Sequence, residues 1–242
     1  MKPHELELSN LGELLSELLG RREQEDFWSR RLPLAERSGA YLRLAGQLGS
    51  RYAQATLDNY EIYDKPKGDV ERRAQGDVLE AVRSWAEAIE DHLRGGGGLV
   101  LFGRPGTGKD HLLAACLYWS ILRHGWTVRW WDGAMLAQEI RSRVGSDRET
   151  EKGLVKELSE PQILAISDLV PVKGDTSAWV ADTLQRIIDR RYRRGVSTWA
   201  TINVRDGREA EERLAAPVID RLRHSSLCLQ CDWESYRRRT HG

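Results

Sequence analysis

Cysteine is scarce and no long apolar run occurs. Cys116, Cys228 and Cys231 are the three cysteines among 242 residues. So small and odd a number argues against a disulfide framework and points to a reducing compartment, the cytoplasm. No apolar run approaches about 18 residues, so no transmembrane helix is expected. The first ten residues, MKPHELELSN, lack the basic start and apolar centre of a secretion signal. Neither charge sign is in excess, with 37 acidic and 37 basic residues. That excludes a globally basic nucleic-acid binder and leaves only local basic patches. Phenylalanine is rare too, two against nine tryptophans, and the indoles are read as packing residues.

The apolar fraction of 40% is enough for one substantial α/β core plus an extension. That core is organised around residues 99–113, LVLFGRPGTGKDHLL. They read as a buried strand, a glycine-rich turn and the opening of a helix, the P-loop order. Glycines let the backbone amides of such a turn face phosphate oxygens, and the helix N-terminus adds partial positive charge. Lys109 supplies a full charge for the β- and γ-phosphates. The candidate nucleotide-binding residues are Gly103, Arg104, Pro105, Gly106, Thr107, Gly108, Lys109, Asp110 and His111. Asp110 stands where the motif places a Ser or Thr that holds Mg2+.

Residues 1–50 read as a helical arm. Leu6, Leu8, Leu11, Leu14, Leu15, Leu18 and Leu19 recur at helical spacing, and a second helix follows Pro33 over Leu34 to Leu48. Such a pair either docks a partner or packs on its own core. Residues 51–98 read as a linker and a leading helix, with Val78, Val82, Trp85 and Ile89 on one face and four glycines from Gly95 to Gly98 at its end. Residues 99–242 form the nucleotide-binding core. Strands are expected at Leu99–Phe102, Thr127–Trp131, 161–170, Ser197–Ile202 and Ser226–Gln230, with helices at Lys109–Arg123, Gly133–Arg143, Ser177–Arg194 and Val218–Leu222. The alternation predicts an α/β fold with a mostly parallel sheet and helices on both faces. Arg141, Arg143, Lys152 and Lys156 either face a nucleic-acid backbone or form a solvated surface. Cys228 and Cys231 read as buried strand residues, since residues three apart on a strand point to opposite faces.

Ligands of such sheets sit at the carboxyl ends of the strands. The third strand ends in Ser167-Asp168, where a Walker B element carries two acidic residues. Asp168 is the candidate for positioning the attacking water. Asn203, ending the fourth strand, is placed to sense the γ-phosphate. Arg221 or Arg223 could serve a neighbouring subunit as an arginine finger.

The segments GRPGTGKDHLLAA (103–115), ILAISDL (163–169), IIDRRYRRG (187–195), TWATIN (198–203) and VIDRLRHSSLCLQCDWESYRRR (218–239) resemble the AAA+ ATPases of the bacterial replicative-helicase loader family (DnaC-like). They are also similar to the IstB-like helper ATPases of insertion-sequence transposition. The resemblance covers about residues 55–239. It implies a five-stranded AAA+ core, ATP and Mg2+ as cofactors, and an oligomer in which Arg221, within Asp220-Arg221-Leu222, acts in trans. It further implies a replicative helicase bound by the N-terminal arm, and single-stranded DNA on the inner face of the assembly. The alternatives left open are a transposition helper that binds duplex DNA and a transposase, and a nucleotide-gated adaptor with little hydrolysis. The chain ends just after the last strand, so no C-terminal lid is expected. The family usually keeps an acidic pair where Ser167-Asp168 stands, and Thr or Asn where Asp110 stands. Asp110, Ser167 and Asp168 are therefore the candidate metal residues, with one carboxylate exchanged between the two motifs.

Overall fold

The structure is a computed structural model that describes residues 26–62, 69–144, 148–169 and 178–237. The leucine-striped helix expected at residues 6–19 lies outside them. Five strands, β1 (Leu99–Gly103), β2 (Val128–Asp132), β3 (Ile163–Ser167), β4 (Ser197–Ile202) and β5 (Leu227–Cys231), form one sheet in the order β2-β3-β4-β1-β5. Every neighbouring pair is parallel. The three central strands are buried almost throughout because both faces of a parallel sheet are covered. Leu99 and Leu101 of β1 enter one core layer, and Val100 enters the other.

The helices divide between these layers. On the first face lie α1 (Leu34–Leu48), α2 (Asp69–Glu87), α3 (Ile89–Arg94) and α4 (Lys109–Trp119). On the second lie α5 (Gly133–Val144), α6 (Arg148–Ser159), α7 (Ala178–Arg193), α8 (Gly207–Arg213) and α9 (Ala216–Arg223). Cys231 is buried in the first layer and Cys228 packs against the second, so the pair is split across the sheet. Among the described residues no cluster of three or more His, Cys, Asp or Glu is placed to hold a metal. Nor is any described helix long and apolar enough to cross a membrane.

The P-loop helix does not run unbroken to Arg123. It changes to a π-helical turn over Ser120–His124, ended by Gly125 at φ 72°. The carbonyls at that end have no intrahelical partner, and the N-terminal region supplies partners. Arg37 donates to the carbonyls of Leu122 and Arg123 at 3.1 and 3.0 Å, and the Leu32 amide donates to Gly125. Gln162 donates to the carbonyls of Phe27 and Arg30. Phe27, Trp28, Leu44 and Ala45 are buried. Part of the second half of the expected arm thus packs on the core, while Leu34 and Leu42 of α1 stay exposed, at 77% and 66%. Residues 51–62 also differ from a linker, because Ala55 and Tyr60 are buried in the same layer.

Arg191 explains one of the arginine-rich segments. It is fully buried and donates to the carbonyls of Leu158, Pro161, Gln162 and Ser197 and to the Thr198 hydroxyl. A single guanidinium thereby ties the end of α6 to the starts of β3 and β4. Replacing Arg191 by Met leaves several buried carbonyls without donors. The expected loss is about 3–5 kcal/mol of unfolding free energy, measured as a lower urea midpoint at unchanged slope.

Candidate nucleotide site

The loop between β1 and α4 carries Gly106 at φ 82° and Gly108 at φ 87°. A side chain at Gly106 would lie 2.0 Å from the Ser235 hydroxyl, and one at Gly108 would lie 2.8 Å from the Tyr60 ring. Left-handed backbone and close walls both demand glycine there. Lys109 opens the helix and is only 4% exposed. Its ammonium donates to the carbonyls of Gly103 (3.1 Å) and Arg104 (2.7 Å), which belong to the loop itself. Burial pushes its pKa below the usual lysine range, and the nearby carboxylates of Asp110 and Asp168 work against that shift.

Three strand ends meet this loop. Asp168, just past β3, has φ 48°, and its amide donates to the Thr201 hydroxyl at 2.9 Å. That hydroxyl in turn donates to Asp110 at 2.8 Å. Asn203 donates its side-chain amide to the Asp168 carboxylate. One hydroxyl of β4 therefore joins the P-loop helix to the end of β3. Burial, followed by the negative charge of Asp110, raises the Asp168 pKa to about 6. Asp132, ending β2, is occupied in accepting the amides of Ala134 and Met135 at the start of α5.

The loop is closed from outside by two segments distant in sequence. Tyr60 and Trp233 both donate to the Thr107 carbonyl, at 3.1 and 2.9 Å. The Tyr236 amide donates to Gly106, and its hydroxyl donates to Glu61. Tyr60 meets His111 and Tyr236 edge-on. His111 also lies 2.9 Å from the Thr56 carbonyl. The result is a cavity of about 360 Å³. Pro105, Gly106, Gly108, Lys109, Asp110, His111, Asp168 and Asn203 line it, joined by Arg51, Tyr52, Asn59, Tyr60, Glu61, Tyr236 and Arg237.

Some expected site residues lie elsewhere. Arg104 pairs with Asp232 at 2.8 Å, and the Thr107 hydroxyl donates to the Arg104 carbonyl. Neither lines the cavity, although both belong to the loop around it. Ser167 is 6% exposed and does not line the cavity. Arg221, on α9, donates to Asp189 of α7 at 2.8 Å and stands beside the Tyr192 ring, away from this chain's own cavity. Arg143 pairs with Glu139 and Glu157. Tyr60, Tyr52, Thr201, Tyr236 and Arg237 were not singled out from sequence. Only the WESYR and TWATIN segments pointed near them.

The donor set suits ATP with a hard cation. Side-chain oxygens of Asp110, Asp168 and Asn203 line the cavity, and Lys109 brings a positive charge to the same wall. These few carboxylates do not make a metal cage by themselves. Mg2+ is commonly held in that way, by one or two carboxylates plus the phosphates of its nucleotide.

Comparison with known proteins places this geometry. Residues 68–242 match the family described as IstB-like ATP binding protein. The replicative helicase loader DnaC of Buchnera aphidicola subsp. Schizaphis graminum is 31% identical over 204 residues, 83% of this chain and 77% of the relative. That of Escherichia coli K12 is 27% identical over 228 residues, 93% and 87% of the two chains. A putative insertion sequence ATP-binding protein of Sinorhizobium fredii is 29% identical over 172 residues, 69% and 53% of the two chains. A crystal structure of the DnaC helicase loader has a TM-score of 0.62 at 24% identity, over 75% of this chain and 99% of that one. The AMPPCP-bound DnaA of Aquifex aeolicus has a TM-score of 0.56 at 16% identity, over 76% and 50%. Both structures establish the fold. With a P-loop cavity at the strand ends and a family match over most of its length, the chain belongs to the IstB-like ATP-binding proteins and is a DnaC-like AAA+ protein.

Proposed function

We propose that this chain is an ATP-dependent loader that assembles or remodels a replicative helicase on single-stranded DNA. The cavity in which Lys109, Asp110, Asp168 and Asn203 meet supports the ATP-dependent part, and the 31% identity to a replicative helicase loader supports the rest. Residues 103–109 hold the triphosphate, with Lys109 at its β- and γ-phosphates. The ring of Tyr60 and the side chains of Tyr52 and Tyr236 provide the wall against which the base lies. Asp168 orients the attacking water, and Asn203, bonded to Asp168, reports the γ-phosphate to it. Asp110 and Asp168 would hold Mg2+ together with the nucleotide, and the ion would supply charge neutralisation at the phosphates. Arg221 completes the site of a neighbouring subunit. It sits between α9 and α7, paired with Asp189 and 24% exposed, and does not line its own chain's cavity. Hydrolysis then acts as the release switch, in the cytoplasm. The first 25 residues, with their leucine stripe, contact the helicase, since Phe27, Trp28, Leu44 and Ala45 of the arm's second half are buried in the core.

A second reading is a transposition helper that binds duplex DNA and a transposase. The insertion-sequence relative favours it over the part of the chain it matches. Capture with the full chain as bait, in cells of its own source, separates the two. A hexameric helicase, lost when residues 1–25 are deleted, is expected. Recovery of a transposase instead overturns the loader reading.

A further inference from the structure

The usual P-loop site gives Mg2+ two protein ligands, a Ser or Thr hydroxyl after the lysine and an aspartate of the Walker B strand. This chain has a carboxylate at the first place, Asp110, and a hydroxyl at the second, Ser167. The two are not equivalent in space. Asp110 lines the cavity, whereas Ser167 is buried outside it. The sequence-based expectation that Ser167 shares the metal shell therefore gains no support from its position. Asp110 is also held in place. Its Oδ1 accepts the Thr201 hydroxyl at 2.8 Å, and Thr201 accepts the Asp168 amide at 2.9 Å. Both cavity carboxylates are thus referenced to one side chain of β4. A carboxylate offers acceptor sites on both oxygens, so the bond from Thr201 leaves Asp110 able to bind a cation.

We propose that the Mg2+ site of this chain draws one of its two carboxylates from the P-loop helix, where a hydroxyl usually stands. Asp110 and Asp168 hold the cation together with the triphosphate, Thr201 positions Asp110, and Ser167 takes no part. The proposal rests on the ATP-binding reading above. It has a consequence for nucleotide binding that runs through Asp110. Asp110 stands next to the bound phosphates, so without a cation it repels them, and with one it attracts them through the metal. ATP binding itself, and not only hydrolysis, becomes dependent on Mg2+.

The test is the ATP affinity of the full chain by calorimetry, in Mg2+ and in chelator. The wild-type chain is expected to bind at least about 30-fold more tightly with Mg2+, because a charge-assisted attraction through the metal then replaces a repulsion. Asp110→Asn keeps an acceptor for Thr201. It should bind ATP more tightly than wild type in chelator and show only a few-fold gain from Mg2+. Thr201→Val should lose about 10-fold of the Mg2+-dependent gain, as expected for an outer-shell partner. Ser167→Ala should behave as wild type. Equal wild-type affinity with and without Mg2+ overturns the proposal and leaves the nucleotide site standing. So does full Mg2+ dependence in Asp110→Asn, or its loss in Ser167→Ala. Absence of ATP binding by the wild-type chain under both conditions overturns the nucleotide reading as well.

Discussion

Arg221→Ala is expected to bind ATP as the wild type does and to lose oligomer-dependent hydrolysis by about 1,000-fold or more. An arginine finger stabilises charge spreading over the γ-phosphoryl oxygens, and that charge develops in the transition state. Ground-state binding should therefore be untouched. A loss of folding would be the other explanation, and a melt taken alongside separates the two. Arg221 pairs with Asp189 at 2.7 Å, with side-chain exposures of only 24% and 22%, and also donates to the Pro217 carbonyl. Its removal is expected to cost about 1–3 kcal/mol of stability. Asp189 also keeps a second partner, Arg193, at 2.8 Å. Arg221→Lys should recover little, because a compact ammonium cannot reproduce a planar fork. Turnover measured against protein concentration, with mant-ATP binding alongside, checks this. Wild-type turnover in Arg221→Ala would remove that residue from the site.

The second large effect concerns Lys109. Lys109→Ala is expected to weaken ATP binding by about 100-fold or more, since charge-assisted bonds to phosphate contribute about 1.5–3 kcal/mol each. The change also removes the donor that binds the carbonyls of Gly103 and Arg104. Some loss of stability without nucleotide should accompany it. A thermal melt separates the two effects. At ATP concentrations near 100 times its Kd, the wild-type chain should gain about 2.7 kcal/mol of stability from the ligand. Lys109→Ala should gain almost none, whatever its starting midpoint. A ligand-induced shift equal to the wild type would contradict the role given to Lys109.

Much of the fold could be read from sequence, because its signals are local. Leu34–Leu48 begins and ends where the sequence places it, and β3 lies within the apolar run expected at 161–170. Strands buried on both faces leave unbroken apolar runs between glycine or charged residues. The lining of the P-loop was equally legible, since Gly106, Gly108 and Lys109 are required by backbone geometry and charge. What escaped depends on long-range packing. Tyr60 reaches the Thr107 carbonyl across 47 positions, and Trp233 reaches it across 126. Neither residue carries a periodicity that reveals this. Residues 51–62 look like a linker because they are polar and irregular, yet they wall the cavity. The π-helical turn was hidden because the apolar pattern continues through it, and its carbonyls are capped by Arg37 from another part of the chain. In the run of arginines from 190 to 194, nothing local marks Arg191 as the buried one. Ser167 shows the reverse case, a position that motif logic drew into the site and that lies buried, outside the cavity lining.

The most direct test of the loader reading is reconstitution. A purified hexameric replicative helicase from the same source is mixed with closed circular single-stranded DNA, with or without this chain and with or without ATP. Helicase recovered on the circles is then counted. The expected result is helicase on the circles when both the full chain and ATP are present, reduced to the level without the chain by deletion of residues 1–25. Helicase recovery that is the same with and without the chain would contradict the reading.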